Sequence, residues 1–430
     1  MGTTEDQRRK FEGLDRDALQ KHQLASLNRL LDKVLPQNEF YARKLSDCKI
    51  PLKDLDELAS WPTTIKEELQ PATADPFVAN RTYPADHYVR YHQTSGTRGR
   101  PLVVLDTASD WKWWTDCWQF VLDAANIKTR DRALLAFSFG PFIGFWSAFD
   151  ALQERGVMAI PAGGMGSLAR LEMIRRSGAT VLFCTPTYAL RLAEIARENQ
   201  IQLEQLPVEK IVVAGEPGGS VPSIRARIES AWQATVFDHA GATELGAWGY
   251  PDSQRRGIHV LESEFIAEFV SVTTGRRAES GELARLVLTT LGREGAPLVR
   301  YQTGDLVRPD WGHPGDNRFV LLEGGVLGRA DDMMIIRGVN VFPSSIEQIL
   351  RSFPEVVEYR MTAHRRTAMD ELVIEVEDRL MQPTRIAEEL KLQLGLSVEV
   401  HCVPAMSLPR FEGKGKRFLD ERNETSTNEA

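Results

Sequence analysis

The sequence predicts an α/β protein with a large N-terminal body and a small α+β C-terminal unit. Three observations predict it. From about residue 88 strand-like apolar runs alternate with helical stretches, the pattern of a substantially parallel sheet covered by helices. Between residues 259 and 325 the texture changes to short strands and turns. After Gly328 a compact alternation of strand and helix fills the rest of the chain. A chain of 430 residues also exceeds one ordinary core, so division into domains is expected.

Residues 7 to 44 read as helices, because Leu24, Leu27, Leu30, Leu31 and Val34 follow a 3.6-residue period until Pro36 interrupts it. The strand-like runs of the body are Ala133 to Phe137, Val157 to Ile160, Thr180 to Cys184 and Lys210 to Ala214. Trp111, Trp114 and Trp118 fall at helical spacing and read as core. The β subdomain, about 259–325, contains Ala284 to Thr290, Pro297 to Tyr301 and Arg318 to Leu322. The C-terminal unit, 329–430, has a strand at Met334, a helix from Ser344, a strand from Glu371, a helix near 385 to 394 and a strand from Ser397. Residues 1–328 then form the N-terminal domain.

Hydrophobic residues at 42% and charged residues at 26% describe a soluble globular chain. The net charge of −8 argues against general affinity for nucleic acid or an anionic membrane. The longest uncharged run, Ala133 to Phe149, is broken by Gly140, Pro141 and Gly144, so it is expected to be buried strand, loop and helix rather than a membrane span. The charged N-terminus has no apolar stretch of the signal-peptide kind. Cys48, Cys117, Cys184 and Cys402 are scattered without short spacings and read as reduced thiols. A cytoplasmic protein is expected.

Five segments carry candidate chemistry. In Thr94-Ser95-Gly96-Thr97-Arg98-Gly99-Arg100, hydroxyls, arginines and permissive backbone suit a polyanion, although no Walker A pattern is present. A polar surface hairpin is the plainer alternative. In Asp238-His239-Ala240-Gly241-Ala242-Thr243-Glu244, a carboxylate beside glycine suits Mg²⁺ on a phosphate, while a helix N-cap at Thr243 is the alternative. Arg300-Tyr301-Gln302-Thr303-Gly304-Asp305 offers a carboxylate after a tight turn for ribose hydroxyls, or a plain turn closed by Gly304. Gly328-Arg329 through Asp331 to Gly338-Val339-Asn340 sits at the domain boundary, where a hinge would lie. Pro409 to Arg417 places Lys414 between glycines, with Lys416 as a rival.

Taken together and in this order, the five segments resemble the adenylate-forming superfamily of acyl-CoA synthetases, peptide-synthetase adenylation domains and luciferases. Phe137-Ser-Phe-Gly-Pro-Phe-Ile-Gly, Cys184-Thr-Pro-Thr-Tyr, Ala214-Gly-Glu-Pro and Val339-Asn-Val-Phe-Pro-Ser make the chain most similar to the phenylacetate–coenzyme A ligase branch, from about residue 20 to 420. The resemblance implies a ligase that uses ATP and Mg²⁺ to form an acyl-adenylate from a small carboxylic acid. It then passes the acyl group to coenzyme A, releasing AMP and pyrophosphate. Thr94, Ser95, Gly96, Thr97, Gly99 and Arg100 would cradle the phosphates, with arginine standing where the family usually has lysine. Thr243 would touch the α-phosphate and Glu244 would hold Mg²⁺. Asp305 would bind ribose beside Arg329, and Gly215, Glu216 and Pro217 would line adenine. Asp238 and His239 are placed with the cofactor-binding residues, although such a histidine also reads as a satisfied polar residue. Lys414 would bridge the substrate carboxylate and the α-phosphate, and rotation about Asp331 would replace it with Gly338 and Asn340 for the thiol step. A homodimer is one assembly seen in this branch.

One departure stands out. Ala240 occupies the place of an aromatic residue that stacks on adenine in relatives, so Tyr188 or another ring is expected instead. Phe137, Phe139, Phe142, Phe145 and Trp146 suggest an aryl or arylacetic acid, with core packing as their alternative role. Some relatives bind zinc in the segment equivalent to Gly249 through Phe265. Here His259 and Glu262 have no cysteine nearby, and no zinc is expected. Two other functions stay open: an adenylyltransferase that stops at the adenylate or loads a carrier protein, and a catalytically silent binding protein.

Overall fold

The computed structural model describes residues 3–71, 76–94, 101–144, 146–330, 334–336, 339–366, 369–394, 397–409 and 417–422. Its centre is a five-stranded parallel sheet in the order Met158–Pro161, Arg132–Leu135, Val181–Cys184, Lys210–Val213 and Thr235–Asp238. Successive side chains along a strand point to opposite faces. Ala133, Leu135, Val181, Phe183 and Val212 enter one core, with Trp118 and Phe265, while Leu134, Leu182, Cys184, Ile211 and Val213 enter another, with Tyr188 and Trp232. Both faces are covered, which is why these strands read as unbroken apolar runs. The covering helices include Ala108–Ala124, Trp146–Glu154, Ser167–Ser177, Pro186–Glu198 and Pro222–Trp232.

Three N-terminal helices, Glu5–Glu12, Arg16–Val34 and Glu39–Lys44, are capped by Thr4, Asp15 and Asn38. The second buries Leu27 and Leu31 against Leu58, Trp61, Ile266 and Leu291, and so joins the chain's start to its β region. That region holds two sheets. One runs Pro309–Asp310, Leu321–Glu323, Gly257–Val260, Gly246–Pro251 and Ala240–Ala242; the other runs Phe265–Ser271, Ala284–Thr290, Tyr301–Val307 and Gly328–Arg329.

Beyond residue 333 a hairpin, Met334–Ile336 with Val339–Val341, leads into a four-stranded sheet. Its order is Glu399–Cys402, Met369–Asp378, Val356–Arg366 and Phe418–Asp420, packed by helices Pro343–Ser352 and Pro383–Leu394. These elements share a hydrophobic core of their own around Ile346, Tyr359, Ile374 and Leu390. The long strand Val356–Arg366, which pairs along most of its length with Met369–Asp378, was not anticipated from the sequence. No helix among the described residues is long and apolar enough to cross a membrane.

Candidate active site

Ligands of open α/β sheets bind beyond the carboxyl ends of the strands. Here Leu135, Cys184, Val213 and Asp238 end their strands at that edge, with Cys184, Val213 and Asp238 in register. The segments that follow carry Phe137 to Ile143, Gly215 to Pro217 and His239 to Glu244. Gly215 turns the chain out of its strand at φ +92°. The Glu216 carboxylate accepts a hydrogen bond from Thr187 N at 2.8 Å, which fastens this loop to the start of helix Pro186–Glu198. Burial raises the Glu216 pKa, Thr187 opposes the rise, and Glu347 of the C-terminal unit adds to it.

Thr243 and Glu244 occupy a tight turn between strands Ala240–Ala242 and Gly246–Pro251, with Ala242 opposite Gly246. The helix N-cap alternative is therefore set aside: no helix follows. The Glu244 side chain is 8% exposed, and its carboxylate pairs with Lys66 Nζ at 2.7 Å. A carboxylate that already holds a cation fits Mg²⁺, which commonly takes one or two protein carboxylates plus substrate phosphates.

Asp305 lies inside strand Tyr301–Val307 rather than after a turn. The strand is bulged at this point, where its register with Ala284–Thr290 shifts between Arg285 and Val287. Gly304 sits there at φ +79°, and a β-carbon on it would come within 2.5 Å of the Arg329 guanidinium. That space lets Arg329, directly across from Asp305, donate to Thr303 O at 2.7 Å and to the Asp305 carboxylate at 3.1 Å. Burial pushes the Tyr301 phenol far up, and nearby Glu244, Arg329 and Asp305 all act on it, so the second, third and fourth segments converge around one ring.

The first segment is pinned at both ends. Thr94 N donates to Leu102 O, and Leu102 N donates to Thr94 Oγ1, each at 3.0 Å, extending the hairpin of Tyr88–Gln93 with Val103–Thr107. Gln93 N donates to Pro141 O at 2.7 Å and ties this hairpin to the aromatic loop. Ser95, Gly96, Thr97, Gly99 and Arg100 lie outside the described residues, as do Asp331, Gly338, Lys414 and Phe145. Asn340 is in strand Val339–Val341, opposite Ile335.

Burial pushes the Asp238 carboxyl up to about 6, while Ser220 and the His239 amide pull the other way. His239 Nδ1 donates to Gly249 O at 2.7 Å, and its ring centroid is 4.1 Å from that of Trp118. Burial holds this imidazole down at about 4, so it is neutral near pH 7. Tyr188 is corrected as an adenine ring: it is buried to 1%, its hydroxyl bonds Ser167 Oγ at 2.9 Å, and Arg170 covers its face. Phe137, Phe139, Trp146 and Phe149 remain only half-buried. Phe139 meets Trp146 edge-on at 4.8 Å and Phe149 at 5.7 Å.

Two residues escaped the sequence reading. Lys66 stands in the short 3₁₀ segment Lys66–Leu69, and Arg293 in the loop after strand Ala284–Thr290, where its side chain donates to the carbonyls of Thr243 and Glu244. Neither belongs to a motif; the only local signal was an arginine close to two glycines, Gly292 and Gly295. In the Gly249 to Phe265 segment, Asp252 takes two bonds from the Arg256 guanidinium, at 2.9 and 3.0 Å, one from Arg256 N at 3.2 Å and one from His259 Nε2 at 3.2 Å. Burial alone would raise the Asp252 pKa, but these bonds hold it well below the usual carboxylate range. The other ring nitrogen of His259 bonds Phe319 O at 3.0 Å.

Comparison with known proteins agrees with this geometry. Residues 338–422 match the AMP-binding enzyme C-terminal domain family. The phenylacetate–coenzyme A ligase of Thermus thermophilus is 30% identical, over 96% of this chain and 98% of that protein. A crystal structure of 2-hydroxyisobutyryl-CoA ligase in the postadenylation state with 2-HIB-AMP superposes with a TM-score of 0.91 at 26% identity, covering 98% of this chain and 94% of that one. The same ligase with 2-HIB-AMP and CoA in the thioesterification state covers the same shares at 27% identity, with a TM-score of 0.73.

Proposed function

The chain belongs to the phenylacetate–coenzyme A ligase family, and we propose that the acid it activates is a small aryl or arylacetic acid. It is an acid–thiol ligase that uses ATP and coenzyme A. The observation that carries the substrate class is the set of half-buried rings Phe137, Phe139, Trp146 and Phe149 at the carboxyl end of strand Arg132–Leu135. Trp118, Phe183, Trp232 and Phe265, by contrast, are fully buried in the core. Partly buried rings packed on the core at the edge where ligands bind suit a flat apolar substrate.

In the first step a carboxylate oxygen of the acid bonds to the α-phosphorus of ATP, and the bond to pyrophosphate breaks. Thr243 donates its hydroxyl to the α-phosphate, and Lys414 offsets the charge where two anions meet. Thr94 and residues 95–100 cradle the outer phosphates. Glu244 would hold Mg²⁺, which would supply neutralisation of phosphate charge. Asp305, oriented by Arg329, accepts hydrogen bonds from the ribose hydroxyls, and Gly215, Glu216 and Pro217 border the base. In the second step the coenzyme A sulfur bonds to the acyl carbon, the bond to AMP breaks, and the thiol proton passes to solvent.

Between the steps, residues 329–430 turn as a domain about Asp331 against residues 1–328, exchanging Lys414 for Gly338 and Asn340. The separate core of the C-terminal unit supports this division. The fuller superposition on the postadenylation state than on the thioesterification state of one relative supports two such arrangements. Cytoplasmic residence suits four unpaired cysteines. A homodimer is the assembly the family suggests, and sedimentation equilibrium tests it.

The substrate class is tested by thioester formation with a panel of benzoic, phenylacetic and short aliphatic acids. Aryl or arylacetic acids should lead in kcat/KM. A short aliphatic acid turned over best would remove the aromatic reading while leaving the ligase reaction in place.

A further inference from the structure

Arg293 is fully buried, and so is its partner Asp106, with Arg293 Nη2 2.6 Å from Asp106 Oδ1. Asp106 lies on strand Val103–Thr107, one side of the hairpin that carries Thr94. Trp114 Nε1 donates to the same Oδ1 at 3.2 Å, and His92, two residues before Thr94, places Nδ1 3.9 Å from Oδ2. His92 is itself stacked on Trp111 at 5.3 Å. The other arm of the guanidinium, Nη1, donates to Thr243 O at 3.2 Å and to Glu244 O. The loop that bears Arg293 is fixed next to it, because Glu294 N and Gly295 N both donate to the Asp110 carboxylate. Burial alone would raise the pKa of Asp106, but Arg293 and His92 hold it below its ordinary value, so the pair is ionic.

A buried ion pair contributes little to stability relative to well-packed apolar residues, since desolvation offsets most of the attraction. This one spans two elements that are otherwise far apart in sequence, the phosphate-loop hairpin and the turn of Glu244. The planar fork of arginine can engage a carboxylate and two carbonyls at once, which a lysine ammonium on a flexible stem cannot reproduce.

We propose that Arg293 is a positioning residue: anchored on Asp106 of the phosphate-loop hairpin, it grips the carbonyls of Thr243 and Glu244 and so fixes the Glu244 carboxylate where the metal–nucleotide complex binds. The inference rests on the reading of Glu244 as the metal-holding carboxylate. Arg293 touches neither metal nor nucleotide and acts only through the turn it holds.

The test compares wild type, Arg293→Lys and Glu244→Gln by calorimetric titration with α,β-methylene-ATP, with and without Mg²⁺. The ratio of the two affinities reads the metal's grip, and a thermal melt of each variant reads the fold. Loss of an outer partner of a metal ligand weakens metal affinity by roughly 10- to 100-fold. Arg293→Lys should therefore lower that ratio by about 10-fold or more, as Glu244→Gln does, with metal-free binding little changed. A purely structural role would lower the melting temperature and leave the ratio intact, which overturns the proposal. A ratio unchanged in Glu244→Gln as well would overturn both this proposal and the metal role of Glu244. If Arg293→Lys does not fold, Asp106→Asn, which keeps the volume and the acceptor, is read in the same way.

Discussion

The ammonium group of Lys66 lies 2.7 Å from the Glu244 carboxylate, with the lysine side chain 43% exposed and the glutamate 8%. A cation on a flexible, solvated stem thus rests on the carboxylate proposed to hold Mg²⁺. Lysine and metal compete for the same oxygens. A pair whose cation is this solvated contributes about 0.2–1 kcal/mol, so Lys66→Ala should tighten the apparent Mg²⁺ affinity by roughly 1.5- to 5-fold. Initial rates against Mg²⁺ at saturating ATP measure it. Weaker Mg²⁺ affinity would mean that Lys66 serves the phosphates instead.

Lys414→Ala should slow adenylation by roughly 10²- to 10³-fold, the loss expected for one stabiliser of developing charge. Acyl transfer from preformed acyl-adenylate to coenzyme A should change little, because the proposed domain rotation withdraws Lys414 before that step. Separate single-turnover assays of the two half-reactions distinguish them. Equal losses in both would assign Lys414 a different role, and an adenylation defect seen only in Lys416→Ala would transfer the role to its neighbour.

Asp305→Ala should raise the KM for ATP by roughly 10- to 100-fold, the effect of losing hydrogen bonds to a charged acceptor, with kcat affected less. The same variant should lose its discrimination between ATP and 2′,3′-dideoxy-ATP. Retained discrimination would place the ribose elsewhere.

His239 makes stability depend on pH in a defined direction. Burial lowers its pKa from 6.5 to about 4 in the folded protein. As pH falls below 6.5 the unfolded chain takes up a proton that the folded imidazole refuses until about 4. The unfolded state therefore binds more protons across that window, and stability falls as the solution is acidified. At 1.36 kcal/mol per pKa unit the loss is on the order of 3 kcal/mol at most. Denaturant melts of wild type and His239→Gln should converge or cross between pH 6.5 and 4. A constant gap across that range would show that His239 does not titrate there.

The central sheet was legible because Val181–Cys184 and Lys210–Val213 bury both faces and carry nothing but apolar side chains beyond Lys210. Strand Val356–Arg366 was not, although Tyr359, Met361 and Ala363 alternate toward the core. Glu358, Arg360, His364, Arg365 and Arg366 give it the look of a polar stretch, and the burial of Glu358 depends on Arg417, which bonds it at 2.6 and 3.0 Å from the start of the neighbouring strand. The site divided in the same way. Asp305 and Arg329 could be named because each sits in a short segment of distinctive composition. The bulge that brings them opposite one another depends on pairing with a third strand. Lys66 and Arg293 reach Glu244 from distant parts of the chain, and no local pattern records such a contact. Ala240 leaves adenine without its usual ring and pointed to Tyr188 among others, but helix Pro186–Glu198 buries that phenol against Ser167 and Arg170.

The reaction runs in two steps through an acyl-adenylate. The most direct measurement is a rapid-quench experiment with enzyme, Mg²⁺, ATP and phenylacetate or benzoate, first without coenzyme A and then with it added. One equivalent of pyrophosphate and of enzyme-bound acyl-AMP should form before the thiol is added, with stoichiometric conversion to thioester and AMP afterwards. Thioester formed with ADP and phosphate as the nucleotide products, or formed with no acyl-AMP on the way, would contradict this two-step course.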